Sequence, residues 1–288
     1  MSIVLLCVGA TKAGTSWIHS QLSRHPECHF RALKELHYFS ALERNAVRRE
    51  IDKHATWQED LLARVAKSAS GPTPDQARRL KDRAAWLDVL DRSEDSVQDY
   101  LNYLRDGAGD AKVVGEMTPA YALLPEERLS TMARMASDVR FLFILRDPVE
   151  RLWSHVRMIA GRRDPNGEVT EKRCAAILDR TIGGSETEIV KRSDYAGALA
   201  RLKSAVSPAR LLIEVFEEMV SGEGLARICA FLGIKRVAPD PAPVYAGRTL
   251  EMTRAQRKLA THWLTPQYAA AEAALGRRPD AWSQGGWT

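Results

Sequence analysis

Three short, predominantly apolar runs stand out along the chain: Ile3–Val8, Val139–Leu145 and Leu211–Phe216, with a shorter one at Lys112–Gly115. They are continuous rather than alternating, the pattern of parallel strands covered on both faces. Between them apolar residues recur at helical spacing. Helices are predicted over Thr15–His25, stopped by Pro26, and over Glu126–Ser137, Val149–Gly161, Ser185–Val206, Gly222–Leu232 and about Glu251–Leu275. Strands alternating with helices predict an α/β fold, a central parallel sheet flanked by helices.

Residues 43–110 break the alternation. They read as polar helices over Glu43–Ser68, Pro74–Asp91 and Ser96–Arg105, interrupted by Gly71-Pro72-Thr73-Pro74, and Ser96 with Asp99 resembles a capping box. With no strand signal, and 12 Lys+Arg against 14 Asp+Glu, this stretch is expected to be a helical insertion within one domain spanning 1–288.

Composition changes the picture little. The 288 residues are 45% hydrophobic and 27% charged, as in an ordinary globular protein. No apolar run approaches the roughly 20 residues of a membrane helix. Ile3–Val8 is too short for a signal-peptide core and runs straight into Gly9, so a cytoplasmic location is expected. The four cysteines, Cys7, Cys28, Cys174 and Cys229, show no metal-ligand spacing and are expected as free thiols. The net charge of +5, from 42 Lys+Arg and 37 Asp+Glu, comes without a basic tail or Lys/Arg block, so a nucleic-acid partner is not expected.

The most informative stretch is Val8-Gly9-Ala10-Thr11-Lys12-Ala13-Gly14-Thr15-Ser16-Trp17. A strand leads into a loop with glycines five apart, and a helix then opens on two hydroxyl residues. Such a loop turns backbone N–H groups inward, the helix N-terminus adds partial positive charge, and Lys12 adds a full one. The set suits a phosphate-like group. It is not a Walker A loop, in which the lysine directly follows the second glycine.

These residues resemble the 5′-phosphosulfate loop of sulfotransferases that use PAPS, adenosine 5′-phosphosulfate with an additional 3′-phosphate. Lys34-Glu35-Leu36-His37-Tyr38-Phe39 is similar to the K-E-P-H-[FY]-F segment of the heparan-sulfate N- and 3-O-sulfotransferases and their bacterial relatives, with Leu36 in place of proline. The resemblance implies a P-loop-type three-layer sandwich. It also implies nucleotide contacts from Lys12, Ala13, Gly14, Thr15 and Ser16.

The run Val139–Leu145 ends in Arg146-Asp147-Pro148, and Pro148 is suited to open a helix. That sets Arg146 and, two turns on, Ser154 near the carboxyl edge of the sheet, where α/β proteins bind ligands. The segment resembles the family's 3′-phosphate motif, which implies that Arg146 and Ser154 hold that phosphate. Arg151 reads as structural. Asp147 also admits a second reading, a displaced Walker B carboxylate holding Mg²⁺ in a small-molecule kinase. Gly115-Glu116-Met117-Thr118-Pro119-Ala120-Tyr121 resembles the family's G-E-K-[ST]-P-x-Y segment, with Met117 in place of lysine. Gly247–Met252 resembles the late basic loop over the nucleotide and adds Arg248.

The resemblance therefore implies transfer of a sulfuryl group from PAPS, leaving PAP, to a hydroxyl or amine of a carbohydrate, lipid or small metabolite, with no metal expected. Lys12 would absorb charge on the leaving phosphate. The base is expected to be Glu35, from the heparan-sulfate resemblance, or His37, whose ordinary pKa of about 6.5 suits base work. Besides the kinase, a catalytically inactive nucleotide-binding scaffold remains open. Trp57, Trp86 and Tyr100 of the insertion are candidates to border the acceptor cleft.

Overall fold

The computed structural model describes residues 2–92, 96–240 and 250–283. At its centre lie five strands, β1 (Ile3–Gly9), β2 (Cys28–Phe30), β3 (Val113–Met117), β4 (Val139–Leu145) and β5 (Leu211–Val215), in the order β2-β3-β1-β4-β5. Every pairing is parallel. Val4 to Val8 are inaccessible to within 1%, as are Phe141 to Leu145, which is why these strands read as unbroken apolar runs. Strand β2, only Cys-His-Phe long, carried no pattern to predict it.

Helix α1 (Thr15–Ser23) returns from β1, and Pro26 ends it as expected. Between β2 and β3 run α2 (Tyr38–Glu43), α3 (Val47–Ala66), α4 (Pro74–Arg92) and α5 (Val97–Arg105). The expected helix over Glu43–Ser68 starts later, because α2 closes first in a left-handed turn at Asn45. Ser96 caps α5 by accepting from the Asp99 amide at 3.2 Å. Trp86 and Tyr100 are core residues: both are fully buried, and Tyr100 stacks on Tyr38 with centroids 5.0 Å apart. Trp57 is exposed, with Lys53 and Arg83 over its ring.

After β3 come a short 3₁₀ turn (Pro119–Leu123) and α6 (Glu126–Ala133). Helix α7 (Pro148–Arg162) leaves β4, followed by α8 (Glu171–Ile182), which sequence patterning did not mark. The single helix expected over Ser185–Val206 is two, α9 (Thr187–Ser193) and α10 (Tyr195–Ala205). Asp194 breaks it by turning its carboxylate onto the Gly197 amide, 2.9 Å away. Likewise Glu251–Leu275 divides into α13 (Arg254–Trp263) and α14 (Thr265–Leu275), after α11 (Phe216–Ser221) and α12 (Glu223–Leu232); a short α15 (Asp280–Ser283) follows. Cys7, Cys28, Cys174 and Cys229 are free, as expected. Among the described residues no helix is long and apolar enough to cross a membrane.

This topology sets the site. The chain leaves β1 toward β2 and β3 on one side and β4 and β5 on the other, so a crevice opens beside the carboxyl end of β1. The loops after β1, β2, β3 and β4 all meet there.

Candidate active site

The loop after β1 is shaped by conformations that side chains resist. Lys12 has φ of +70° and Gly14 +86°, both left-handed. At Gly14 only glycine fits, since a Cβ there would overlap the Phe216 ring. Gly14 is also the N-cap of α1 and offers no side chain to its first turn, so those amides have no side-chain acceptor. Two loop carbonyls are engaged by arginines: Thr11 O accepts from Arg151 Nη1 at 3.5 Å, and Lys12 O from Arg146 Nη1 at 3.3 Å. Arg192 donates to Thr11 Oγ1 at 3.3 Å. Carbonyls already paired with arginines, an uncapped helix start and a cation are together the chemistry that suits an anion.

Lys12 sits among like charges. Burial lowers its pKa first, and the guanidinia of Arg146, Arg162 and Arg157 lower it further, while Glu35 opposes them. Thr15 is buried, and Ser16 Oγ accepts from Lys34 Nζ, so the residues after β1 and β2 are joined directly.

Arg146, at the end of β4, lies over the Phe216 ring at 5.0 Å. Its backbone is pinned by Tyr195, whose hydroxyl donates to Arg146 O at 3.0 Å. Its Nε is buried with no hydrogen-bond partner among the described residues, a donor in want of an acceptor. Ser154 lies half-buried two turns into α7. Arg151 is structural, as expected. It is 1% exposed, bonds Thr11 O and Ser193, and has its pKa lowered by burial to about 10. Asp147 is occupied as a helix cap: Oδ1 accepts from the Glu150 amide at 2.9 Å and Oδ2 from Tyr268 at 2.8 Å. Both oxygens are thus engaged in the fold, which speaks against a metal-holding carboxylate. Arg248 lies outside the described residues.

Across the crevice, the segment after β2 bends through two more left-handed residues, Glu35 (φ +55°) and His37 (φ +57°). His37 Nε2 and Glu35 Oε2 are 3.7 Å apart. The neighbouring His37 is the largest influence on Glu35 and lowers its carboxyl pKa; burial opposes it, and Lys34 and Arg162 add to the lowering.

What holds this bend is Glu116, buried to 2% at the end of β3. It accepts from Tyr100 at 2.6 Å, Tyr121 at 2.7 Å, Thr118 at 2.6 Å and the Leu36 amide at 3.3 Å. Burial raises its pKa, and the hydroxyls oppose that. The Glu35 amide donates to Met117 O at 3.1 Å. One carboxylate thus links α5, β3 and the segment bearing Glu35 and His37.

The structure brings Lys12, Glu35, His37, Lys34, Ser16 and Arg146 into one crevice. Sequence reasoning quoted Glu116 only as a motif member and passed over Arg157, Arg162 and Arg192. An acidic residue inside an otherwise apolar strand end was the available signal for Glu116. For the arginines there was none.

The model of the sulfotransferase family matches residues 5–239. No curated protein matches the chain significantly. Among solved structures, a sulfotransferase from Alicyclobacillus acidocaldarius is 22% identical, covers 99% of this chain and 100% of its own, and superimposes with a TM-score of 0.65. The sulfotransferase domain of the Synechococcus PCC 7002 olefin synthase is 15% identical, with 91% and 94% coverage and a TM-score of 0.51. The sulfotransferase domain from the curacin biosynthetic pathway is 14% identical, with 96% and 98% coverage and a TM-score of 0.55. At these identities the likeness to the solved structures is one of fold.

Proposed function

The chain belongs to the sulfotransferase family, and from that premise we propose that it moves the sulfuryl group of PAPS to a hydroxyl or amine of a carbohydrate, lipid or small-metabolite acceptor. The observation that carries this reading is the hydrogen bond from Lys34 to Ser16, which ties the segment bearing Glu35, after β2, to the loop and helix start bearing Lys12, after β1. A cation for the leaving group and a carboxylate for the acceptor proton then flank one line of transfer. The donor fits the residues present: the unpartnered Nε of Arg146 calls for an acceptor such as a phosphate oxygen, and the loop offers amides to a second phosphate.

PAPS supplies a sulfuryl group already activated by its phosphate, so catalysis reduces to placement and charge. As the new bond to sulfur forms and the sulfur–phosphate oxygen bond breaks, the acceptor's proton passes to Glu35. Its carboxyl, held below the usual range by His37, is ionised and ready at neutral pH. Lys12 and the loop amides meet the charge left on the phosphate. His37 orients Glu35 across their 3.7 Å contact. Residues 43–110 are read as an insertion within one domain, bordering the acceptor side.

The test pairs binding with transfer. PAP without Mg²⁺ should raise the melting temperature more than 5′-AMP, and Arg146→Ala should remove that difference. Equal loss of both nucleotides sinks the 3′-phosphate role. Transfer of label from PAPS to source-organism extract should appear in a sulfated product by mass spectrometry. PAP binding with no transfer to any acceptor would make the chain an inactive scaffold.

A further inference from the structure

Two residues that pack together beside the loop after β1 are each followed by an acid. Arg146 precedes Asp147, and Phe216, over whose ring the Arg146 guanidinium lies at 5.0 Å, precedes Glu217. The Phe216 ring also abuts Gly14, so it is wedged between that loop and Arg146. The acids join the two chain segments, because the Asp147 amide donates to Glu217 Oε1 at 3.2 Å.

Both acids are held from the far end of the chain. Tyr268, on α14, donates its hydroxyl to Asp147 Oδ2 at 2.8 Å, and Trp282, on α15, donates Nε1 to Glu217 Oε2 at 3.0 Å. Their rings meet edge to face with centroids 6.0 Å apart, so Tyr268, Asp147, Glu217 and Trp282 close a ring of contacts. Burial raises the carboxyl pKa of both acids, and these donors are among the groups that oppose it. Gln267, beside Tyr268, accepts from the Ala196 amide at 3.0 Å. Ala196 in turn follows Tyr195, whose hydroxyl pins Arg146 O. The C-terminal helices thus brace the surroundings of Arg146 at Asp147, Glu217 and Ala196.

Asp147 Oδ1 caps α7 through the Glu150 amide, a bond that does not involve Tyr268. What the closed ring adds is a fixed relation between the end of β4 and the start of α11, from which Arg146 and Phe216 project. Orientation matters for a guanidinium, whose planar fork meets a phosphate with two parallel hydrogen bonds. Resting on the assignment of Arg146 to the 3′-phosphate of PAP, we propose that Tyr268 and Trp282 are positioning residues for that contact. Acting through Asp147 and Glu217, they set the Arg146 guanidinium on the Phe216 ring in the orientation that grips the 3′-phosphate. The C-terminal helices thereby take part in selecting a donor that carries this phosphate.

Calorimetry with PAP and 5′-AMP on the full chain tests this. The wild type should prefer PAP about tenfold or more, the usual worth of a charge-assisted hydrogen bond. If it does not, the 3′-phosphate role of Arg146 falls, and the proposal with it. Tyr268→Phe and Trp282→Phe each keep an aromatic ring and remove one donor. Each should cut the preference about threefold or more and leave 5′-AMP affinity within about twofold, because 5′-AMP lacks the group whose placement is disturbed. In the Arg146→Ala background the same substitutions should no longer change PAP affinity, since nothing remains to position. A merely structural role gives equal losses for both nucleotides, or the same effect with and without Arg146. Either result overturns the proposal, as does an unchanged preference in both variants; an unchanged preference in one removes that residue from the assignment.

Discussion

Glu116→Gln isolates the carboxylate that props the Glu35 segment, and its cost can be worked from the geometry. Glu116 receives four donors, two per oxygen: Tyr100 and Tyr121 on Oε1, Thr118 and Leu36 N on Oε2. Glutamine keeps the shape but replaces one oxygen with an NH₂ that itself donates. If the NH₂ faces Thr118 and Leu36, the threonine hydroxyl can turn and accept, but the Leu36 amide and the second amide hydrogen are left without partners. If it faces the tyrosines, their hydroxyl hydrogens must find new acceptors in a fully buried cluster. Either way one or two buried donors go unsatisfied, at about 1–3 kcal/mol each, for a total of about 2–4 kcal/mol. At about 2–4 °C per kcal/mol, the melting temperature should fall by about 4–16 °C. Because Glu116 is the side-chain acceptor for Leu36 N, rearranging its donors also loosens the segment carrying Glu35, so kcat should drop while PAP affinity stays within about twofold. Thermal melts and single-turnover transfer on the same preparation measure both. A melting temperature within about 2 °C of wild type, or an unchanged kcat, would show that the network does not support the site. The folded pKa of Glu116 is raised, so its titration adds stability that is complete below the ordinary carboxylate range and lost as pH rises through the folded value. The deficit of the variant should therefore widen on acidification.

Other perturbations test other parts of the site. Lys12→Ala should abolish turnover and weaken PAP binding, whereas Glu35→Gln should lower kcat and leave PAP affinity nearly intact; full activity in Glu35→Gln refutes the base assignment. Gly14→Ala must place a side chain at φ +86° against Phe216, so calorimetry should show a loss of about 2–5 kcal/mol in stability and the loss of PAP binding. His54 and His155 are both buried, with pKa values pushed down to about 3. The unfolded chain binds their protons near pH 6.5 and the folded protein does not, so stability should fall by about 2 kcal/mol per residue from pH 7 to pH 5. Urea midpoints should show this slope, and His155→Gln should reduce it. The folded pKa of Glu35 is lowered, so its charge persists below pH 4.5 and kcat/KM should show no acidic limb from this residue above that value.

The parts of this protein legible in its sequence are those built from contiguous backbone. The loop after β1 is made by consecutive residues, so Gly9 to Trp17 announced its position, its glycines and its lysine together. β1, β4 and β5 were visible because strands buried on both faces must be apolar throughout. Arg146-Asp147-Pro148 marked a strand end and a helix start for the same local reasons. Tertiary structure decided what residues far apart do to one another. Three-residue β2 exists only because β3 offers it a ladder, from Cys28 beside Val113 to Phe30 beside Gly115. Asp147, legible as a metal carboxylate, is consumed by Glu150 and Tyr268, the latter 121 residues away. Glu116 gains its meaning from tyrosines at 100 and 121 and an amide at 36. A charge's role depends on its neighbours in space, and hydrophobic periodicity records only which face is buried, not which side chains meet across a crevice.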